Sequence, residues 1–309
     1  MNPERTKVIV AVCTYNRNEA LRTLLDALIV TSDEVRDRVD VGVVIVDDNA
    51  DGKARPVVES FEGRFALGVH YRTSGKQNIS LARNIAIETA ASMGDWIAMT
   101  DDDCEPVPGW LREHVTSQER TGADVITGPM CVRVPPGSPK WIEAEPFFED
   151  QLLGFADGAE ADTAATNNSM LRAAFVRDNP EIRFLPELGV IGGEDMVFYR
   201  TAHRAGLRIV YSAGAAVWAN EPPSRATLRH QLKYRFWLGN TEYVTNRVLG
   251  DATPARLVLR GMNGMRRAVL RSPIRLARGQ RPQWRYSFAC VLRSTGLLLG
   301  PAGVRLRHH

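Results

Sequence analysis

The first hundred residues contain four apolar runs, each of which ends in polar residues. The runs at 7–14 (KVIVAVCT) and 41–46 (VGVVIV) are continuous and rich in β-branched residues. Such runs are typical of strands that are buried on both faces of a parallel sheet. A shorter strand is predicted at 67–72, and a fourth is predicted at 96–100 (WIAMT).

Helical spacing separates these runs. Leu21, Leu24, Leu25 and Leu28 follow the i, i+3, i+4, i+7 pattern of an amphipathic helix, with Asn18 as its expected N-cap. A second helix is predicted across 79–91. Strands that alternate with helices predict an α/β fold with a doubly wound parallel sheet.

The pattern loosens after Asp103. We expect a helix at 109–120, a strand at 124–134, an acidic mobile loop at 143–162, a strand at 163–171, a helix from GVIGGED (189–195) through His203, and short strands at 208–211 and 216–219. The chain then continues as helices with basic faces. We therefore predict an α/β domain at 1–225 and a helical, Arg-rich extension at 226–309.

Polar side chains follow the predicted strands where each strand ends. Tyr15 and Asn16 follow the first strand, Asp47 and Asp48 the second, and Asp101-Asp102-Asp103 the fourth. Ligands of open α/β sheets bind outside the carboxyl ends of the strands. The sequence therefore predicts the functional site at this edge.

Three consecutive aspartates repel one another unless a cation neutralises them. Mg²⁺ takes oxygen ligands, typically one or two carboxylates together with substrate phosphates. In an extended segment Asp101 and Asp103 point to one side and Asp102 to the other. The alternative interpretation is a solvated acidic turn before Pro106 and Pro108.

Several motifs together resemble the family 2 glycosyltransferases of the GT-A fold. They are CTYNR at 13–17, VDDN at 46–49, ISLARN at 79–84, DWIAMTDDD at 95–103 and GGED at 192–195, in that family's order. The resemblance covers roughly residues 7–240 and implies a Rossmann-like, doubly wound mixed sheet. It also implies that 1–225 is a GT-A nucleotide-sugar-binding and catalytic domain. It departs from the family pattern at VDDNADG, which leaves open whether Asp47 or Asp48 faces the nucleotide.

The resemblance implies an inverting transfer of a sugar from a nucleoside diphosphate to an acceptor hydroxyl. Thr14, Tyr15 and Arg17 would line the nucleobase pocket, and Asp47 or Asp48 would accept a hydrogen bond from the base. A uracil N–H suits a carboxylate, so a UDP-sugar is favoured. Arg83 would reach the nucleotide or diphosphate, although a surface helix position is the alternative.

The same resemblance assigns the metal and the base. Asp101 or Asp102 would contact the ribose, and Asp103, with Asp101, would hold Mg²⁺ or Mn²⁺ in the manner of a DxD motif. Asp195 would be the catalytic base, with Glu194 orienting the acceptor or sharing the proton. Acids that open a helix also serve as simple N-terminal capping groups.

Other assignments are looser. Asn167 and Asn168 are candidates for acceptor contacts, although buried amides also serve purely structural networks. Glu221 is a candidate for a further metal ligand, and Arg235 for a diphosphate contact. The QxxRW arrangement of processive synthases is absent, since Gln231 is followed by Arg235 and then Trp237. We therefore expect a single addition in bacterial glycan, glycolipid or natural-product biosynthesis.

The net charge of +3 conceals an uneven distribution. Residues 252–309 contain 12 arginines and no acid, while residues 1–251 carry 27 basic and 36 acidic side chains. Arginines interleaved with apolar residues are typical of a helix that lies on a membrane surface. The alternative is that this tail docks on the acidic part of the chain.

The remaining features indicate the cell compartment. No run approaches the roughly 18 apolar residues of a spanning helix, the N-terminus has no cleavage signature, and the four cysteines lack CxxC spacing. We expect a cytoplasmic enzyme, peripheral on the cytoplasmic face of the membrane if the tail meets lipid.

Three other functions are kept as alternatives. A sugar nucleotidyltransferase would carry a glycine-rich loop after the first strand, where CTYNRNEA has no glycine. A non-catalytic protein that binds a membrane through its basic tail is the second. The third is a nucleic-acid binder, which is not expected because few aromatic residues accompany the arginines.

Overall fold

The structure is a computed structural model that describes residues 5–148 and 155–305. It forms two compact units. The first comprises Met1–Val132, Leu152–Val190 and Glu194–Asn220, and the second comprises Arg133–Gln151, Ile191–Gly193 and Glu221–His309. The longest segment of the second unit, Glu221–His309, starts close to the predicted boundary at 225/226, and the unit also contains two segments from the middle of the chain. The functional division into two domains stays a prediction.

The elements are numbered in chain order. The strands are β1 (Thr6–Thr14), β2 (Val39–Asp47), β3 (Val69–Thr73), β4 (Trp96–Thr100), β5 (Cys104–Pro106), β6 (Val125–Thr127), β7 (Met130–Arg133), β8 (Glu160–Ala161), β9 (Asn168–Arg172), β10 (Ile209–Tyr211) and β11 (Val217–Asn220). The helices are α1 (Asn18–Asp33), α2 (Arg55–Glu59), α3 (Ile79–Ala91), α4 (Trp110–Thr121), α5 (Lys140–Ala144), α6 (Ala173–Asp178), α7 (Glu194–Arg204), α8 (Leu228–Val248), α9 (Pro254–Ala277) and α10 (Trp284–Leu299).

A mixed eight-stranded sheet forms the centre of the first unit, in the order β3-β2-β1-β4-β9-β6-β10-β8. Strands β1 to β4 pair in parallel, whereas β9 runs antiparallel to both β4 and β6. The predicted doubly wound α/β class is confirmed, and the sheet is mixed, as the family resemblance implied.

Alternate residues of β1 feed two different cores. Val8, Val10 and Val12 pack into the core that includes the leucines of α1, whereas Ile9 and Ala11 pack into the core that includes α3. Both sets are almost entirely buried. The continuous apolar run therefore reflects a strand that is covered on both faces.

Two predicted elements differ from the structure. The strand predicted at 124–134 is two strands in different sheets, because β6 belongs to the large sheet and β7 to a three-stranded sheet of order β5-β11-β7. Gly128 and Pro129 separate them: proline lacks an N–H for a ladder, and a Cβ on Gly128 would lie 1.9 Å from the carbonyl oxygen of Ala215. The strand predicted from 163 begins at Asn168.

The start of α1 also differs. Arg17 is the N-cap residue, and no side chain caps this end. The amide of Asn18, the predicted cap, donates instead to the carbonyl oxygen of Lys53 at 2.9 Å. Part of the mobile loop predicted at 143–162 lies outside the described residues; in the described part, α5 ends at Ala144 and β8 covers 160–161.

In the second unit, glycines allow α10 to pack closely against α8 and α9. A Cβ on Gly239 of α8 would lie 1.8 Å from the carbonyl oxygen of Arg293, and one on Gly296 would lie 2.1 Å from that of Phe236. On α9, Gly261 approaches Leu298 in the same way. Within residues 5–148 and 155–305, no helix has both the length and the apolar character needed to cross a membrane.

Candidate functional site

The carboxyl ends of β1, β2 and β4 meet at one edge of the large sheet. Thr14 and Asp47 are paired across β1 and β2, and β4 ends at Thr100, immediately before the aspartate triplet. The polar residues that the sequence placed at strand ends therefore lie along this edge.

Asp102 is the buried member of the triplet, with 4% of its surface exposed. Its carboxylate accepts hydrogen bonds from the Thr14 hydroxyl and from Nη1 of Arg17, both at 2.8 Å. Burial raises the pKa of Asp102 to about 6, although the charge of Arg17 opposes this shift. The side chain of Asp102 is thus buried at this edge of the sheet and fixed by Thr14 and Arg17.

Asp101 and Asp103 remain partly exposed, with side-chain exposures of 37% and 25%. Arg17 also contacts Asp103 at 2.8 Å, while Arg83 donates to Asp101 at 3.1 Å. Two arginines therefore offset part of the negative charge of the triplet. The two outer aspartates differ from Asp102 in exposure, but the extended segment assumed for the triplet is wrong: Asp102 and Asp103 form a turn, closed by the Cys104 amide on the carbonyl oxygen of Asp101 at 3.1 Å.

Arg83 joins the triplet to the start of α7. Its side chain is 9% exposed, and its Nη1 donates to Oε1 of Glu194 while Nη2 contacts Asp101. Burial alone would lower the pKa of Arg83, but the carboxylates of Glu194 and Asp101 raise it above its ordinary value. The alternative that Arg83 is a surface helix residue is wrong, because the guanidinium is buried between acids.

The two acids that open α7 have different surroundings. Glu194 is 7% exposed, and within the described residues its Oε2 has no hydrogen-bond partner. Asp195 is less enclosed, and its Oδ1 accepts a hydrogen bond from the amide of Met196 at 2.7 Å. Burial raises the pKa of both carboxyls, and Arg83 partly offsets the rise.

The glycines before α7 have a packing role. Gly192 and Gly193 adopt positive φ angles of 94° and 85°, which favour glycine. A Cβ on Gly192 would lie 2.2 Å from the ring of Trp237, and one on Gly193 would lie 2.4 Å from Thr245. Side chains of α8 therefore occupy the space that a Cβ would need at either position.

Asp47 and Asp48 differ in how fully they are used. Asp47 accepts hydrogen bonds on both oxygens: from the Asn49 amide at 2.9 Å on one, and from the Ala54 amide and the Tyr71 hydroxyl on the other. For Asp48, all described hydrogen bonds fall on Oδ1, from Ser74 and Lys76. Asp47 therefore shapes its loop, and Asp48 keeps a carboxylate oxygen for another partner.

The two asparagines predicted for the acceptor have unlike positions. Asn168 is fully buried, accepts hydrogen bonds from Trp110 and His114, and donates to two backbone carbonyls. All its hydrogen-bonding capacity is used internally, so this placement is structural and contradicts an acceptor role. Asn167 is partly buried, and its amide contacts the sulfur of Met130 at 3.1 Å.

Of the other predicted residues, Tyr15 is 42% exposed in the loop after β1. Arg235 and Glu221 belong to the second unit. Arg235 is 1% exposed and donates to the carbonyl oxygen of Phe147, which is the environment of a core arginine rather than of a ligand contact. Glu221 pairs with Arg225 at 3.3 Å, and its role as a metal ligand stays a prediction.

The chemistry of a hard divalent ion fits the outer aspartates. Asp101 and Asp103 present partly exposed carboxylate oxygens two residues apart. Among the residues that the structure describes, no group of three or more His, Cys, Asp or Glu is placed to hold a metal. Mg²⁺ typically needs only one or two carboxylates when substrate phosphates supply further ligands, so the two aspartates suffice in kind.

Comparison with known proteins identifies the family. The model of glycosyl transferase family 2 matches residues 9–178. The chain belongs to this family. It is 34% identical over 245 residues to the succinoglycan biosynthesis protein ExoM of Rhizobium meliloti (strain 1021), an alignment that covers 78% of this chain and 75% of ExoM. The chain is accordingly a glycosyltransferase.

Solved structures show the same GT-A fold. A fragment of S. aureus TarS in complex with UDP-GlcNAc matches with a TM-score of 0.55 and 18% identity, covering 96% of this chain and 92% of the fragment. For the longer TarS structure, the chain spans 42% of its length. GalNAc-T7 with UDP, GalNAc and Mn²⁺ matches with a TM-score of 0.52 and 15% identity, covering 80% of this chain and 50% of GalNAc-T7.

Two hydrogen-bond donors to the aspartates of the VDDN motif were not predicted from the sequence. Tyr71 on β3 donates to Asp47, and Ser74 donates to Asp48 at 2.5 Å. Both follow from β3 lying next to β2, which the alternation of strands and helices implied. Register across β2 and β3 was the missing information, since a sequence pattern alone does not pair individual residues.

Proposed function

We propose that this glycosyltransferase performs an inverting, metal-dependent transfer of one sugar from a UDP-sugar to an acceptor hydroxyl in bacterial glycan, glycolipid or natural-product biosynthesis. TarS with UDP-GlcNAc and GalNAc-T7 with UDP, GalNAc and Mn²⁺ support the donor class through their shared fold. The identity to ExoM, a succinoglycan biosynthesis protein, supports a glycan acceptor.

One observation carries the proposal: Arg83 contacts both Glu194 at the start of α7 and Asp101 in the triplet. A single buried side chain thus couples the acids proposed for the acceptor to those proposed for the donor. Displacement at the anomeric carbon needs a base for the hydroxyl and charge stabilisation for the departing diphosphate within one site. Arg83 holds these two groups together.

Asp195 is the proposed base. Its pKa is raised by burial, which brings a carboxylate closer to the basicity that proton transfer from a hydroxyl needs. Glu194, held by Arg83, is the proposed positioning residue: its buried Oε2 accepts no hydrogen bond from the described residues, and we assign it the hydroxyl of the acceptor as its partner. Asp195 takes the proton as the new glycosidic bond forms, and no covalent enzyme intermediate is required.

For the donor, Asp103 and Asp101 would hold Mg²⁺ or Mn²⁺. When bound, such an ion acts as a Lewis acid that stabilises charge on the β-phosphate. Asp48 is the proposed contact to the uracil N–H because Asp47 is fully used in its loop. Thr14 and Arg17 position Asp102, which leaves the exposed Tyr15 to face the base.

A peripheral membrane position is also proposed. On α9, six residues spaced around one outward face are apolar and exposed: Leu259, Met262, Val269, Leu270, Ile274 and Leu276. Trp284, Phe288 and Leu299 are exposed on α10. Apolar stripes beside arginines suit an anionic bilayer surface, where each basic residue contributes about 1 kcal/mol.

The alternative is that the basic tail docks on the acidic part of the chain. Some tail arginines do form ion pairs with acids of the second unit. Arg260 and Arg293 pair with Glu242, and Arg285 pairs with Glu145. These pairs use three of the arginines, while the apolar stripes stay exposed.

Co-sedimentation with phosphatidylglycerol vesicles, compared with neutral phosphatidylcholine vesicles, tests the membrane proposal. Leu259→Ser combined with Val269→Ser should reduce the bound fraction, and equal binding of this variant would refute it.

The transfer proposal is tested with Asp195→Asn. UDP-, GDP- and dTDP-sugars are screened with Mg²⁺ or Mn²⁺ for nucleotide release in the presence of candidate acceptors. The variant should lose about 10²- to 10⁴-fold in turnover because the proposed base is gone, while UDP binding by calorimetry stays unchanged. Asp157→Asn, at an exposed position paired with Arg120, is the control. Normal turnover by Asp195→Asn would overturn the mechanism.

A further inference from the structure

An arginine-lined cavity of about 580 Å³ lies in the second unit, and none of its lining residues belongs to a motif of the transferase family. Residues of α9 and α10 form most of its lining, and Glu242 of α8 completes it. Six arginines line the cavity: Arg260, Arg267, Arg271, Arg275, Arg278 and Arg293. Glu242 is the one acid among its lining residues.

The sequence of α9 produces this lining. Small or apolar residues at 257, 261, 268 and 272 are buried and face α10, where Ser272 and Ser287 share a hydrogen bond of 2.8 Å. Arginines at 260, 267, 271 and 278 recur at intervals of seven, four and seven residues. This spacing keeps them on one side of the helix, next to the buried stripe.

Some of these guanidinium groups are held in place. Arg271 lies over the ring of Tyr286, with its carbon 4.5 Å from the ring centroid, and its Nε donates to Gln283 at 3.1 Å. The Nε of Arg275 donates to the carbonyl oxygen of Arg281 at 3.0 Å. Both hydrogen bonds use Nε, so they leave the two terminal nitrogens of each group for a ligand.

The charges of the cavity are not balanced by its own side chains. Glu242 accepts contacts from Arg260 and Arg293 at 3.4 and 3.3 Å. The remaining four arginines have no carboxylate within the lining. Like charges that converge on one cavity repel, and an anion that enters it relieves the repulsion. The planar guanidinium matches phosphate oxygens through paired hydrogen bonds.

We propose that this cavity is a binding site for a phosphate group that carries two or more negative charges, such as a diphosphate or a phosphomonoester. The group comes either from a soluble phosphate compound or from the headgroup of a lipid. The proposal is independent of the sugar transfer, because none of the six arginines belongs to the proposed catalytic site.

Calorimetric titration with inorganic pyrophosphate at fixed ionic strength tests the site. Wild-type protein should bind it, and Arg267→Gln combined with Arg278→Gln should weaken binding by about tenfold or more, because charged hydrogen bonds are lost. The matched control is Arg256→Gln combined with Arg266→Gln. These two arginines are exposed on the same helix but do not line the cavity, so the control removes equal charge.

A second arm separates the two sources of phosphate. Vesicles that contain phosphatidic acid, a phosphomonoester, are compared with phosphatidylglycerol vesicles of equal surface charge. A preference for phosphatidic acid that disappears in the cavity variant supports a lipid headgroup. Pyrophosphate binding without this preference supports a soluble ligand.

Two results would overturn the proposal. One is the absence of pyrophosphate binding to wild-type protein. The other is an equal loss of binding in the cavity variant and the control, since this would show diffuse charge and no site. Thermal unfolding of each variant confirms that the helices remain folded.

Discussion

Removal of Arg83 should destabilise the first unit, and removal of Glu194 as well should restore part of the loss. In Arg83→Met, Glu194 keeps a buried carboxylate without its counter-charge, since both side chains are 9% exposed. Breaking a buried pair from one side typically costs about 3–5 kcal/mol. We expect a loss in this range for the free energy of unfolding.

Glu194→Gln should cost less, about 1–2 kcal/mol, because Arg83 still contacts Asp101 at 3.1 Å. In the Arg83→Met background the same change removes an uncompensated buried charge. Glu194→Gln should therefore stabilise that background, so its effect on stability changes sign.

Urea unfolding followed by circular dichroism measures the three variants at pH 7. Arg38→Met is the control: Arg38 pairs with Glu119 at the surface, with both side chains about half exposed, and its loss should cost about 1 kcal/mol or less. If the loss of unfolding free energy in the double variant equalled the sum of the two single losses, the reasoning would be refuted, because Arg83 and Glu194 would then not interact energetically.

Three further predictions concern the framework around the site. Burial lowers the pKa of His114 from 6.5 to about 4, so the unfolded state takes up a proton that the folded state does not as the pH falls below 6.5. The free energy of unfolding should therefore fall by about 3 kcal/mol between pH 6.5 and 4. In urea titrations over this range His114→Gln should lose less, and the same pH dependence in this variant as in the wild type would contradict the prediction. Asn168→Ala should lower the free energy of unfolding by about 3 kcal/mol, since four hydrogen bonds lose their partner. Asn167→Ala should lower it by under about 1 kcal/mol. Equal shifts of the melting temperature in the two variants would refute the structural role of Asn168. Gly128→Ala should lower the free energy of unfolding by about 2–3 kcal/mol because its Cβ would meet the backbone of Ala215. If urea unfolding gave this variant the same stability as the wild type, the contact would not be tight and the prediction would be wrong.

The sequence specified the sheet better than the packing of its loops. Continuous apolar runs identified β1, β2 and β4, because a strand buried on both faces has a composition that no exposed segment shares. The break between β6 and β7 was missed. Gly128 and Pro129 are compatible with a bulge inside one strand, and only the pairing of β6 and β7 with different partners shows that the chain changes sheets.

The candidate site was predictable in residue type and less so in role. The motifs located Arg83 and the acids around it, but the burial that makes Arg83 a bridge depends on where α7 begins in space. Asn168 shows the same limit. Both an acceptor contact and a structural role were open for it, and the structural role follows from four hydrogen bonds with residues 39 to 58 positions away, which no local pattern reveals.

The alternation along β1 also has a consequence for the tolerance of the chain to insertions. Val8, Val10 and Val12 enter one core and Ile9 and Ala11 the other, and the same strand ends in Thr14, which holds Asp102. A shift of β1 by one residue would exchange the contents of both cores and would move Thr14 about 3.3 Å along the strand. Stability and the geometry of the edge are therefore set by one register, so an insertion in β1 cannot impair one and spare the other.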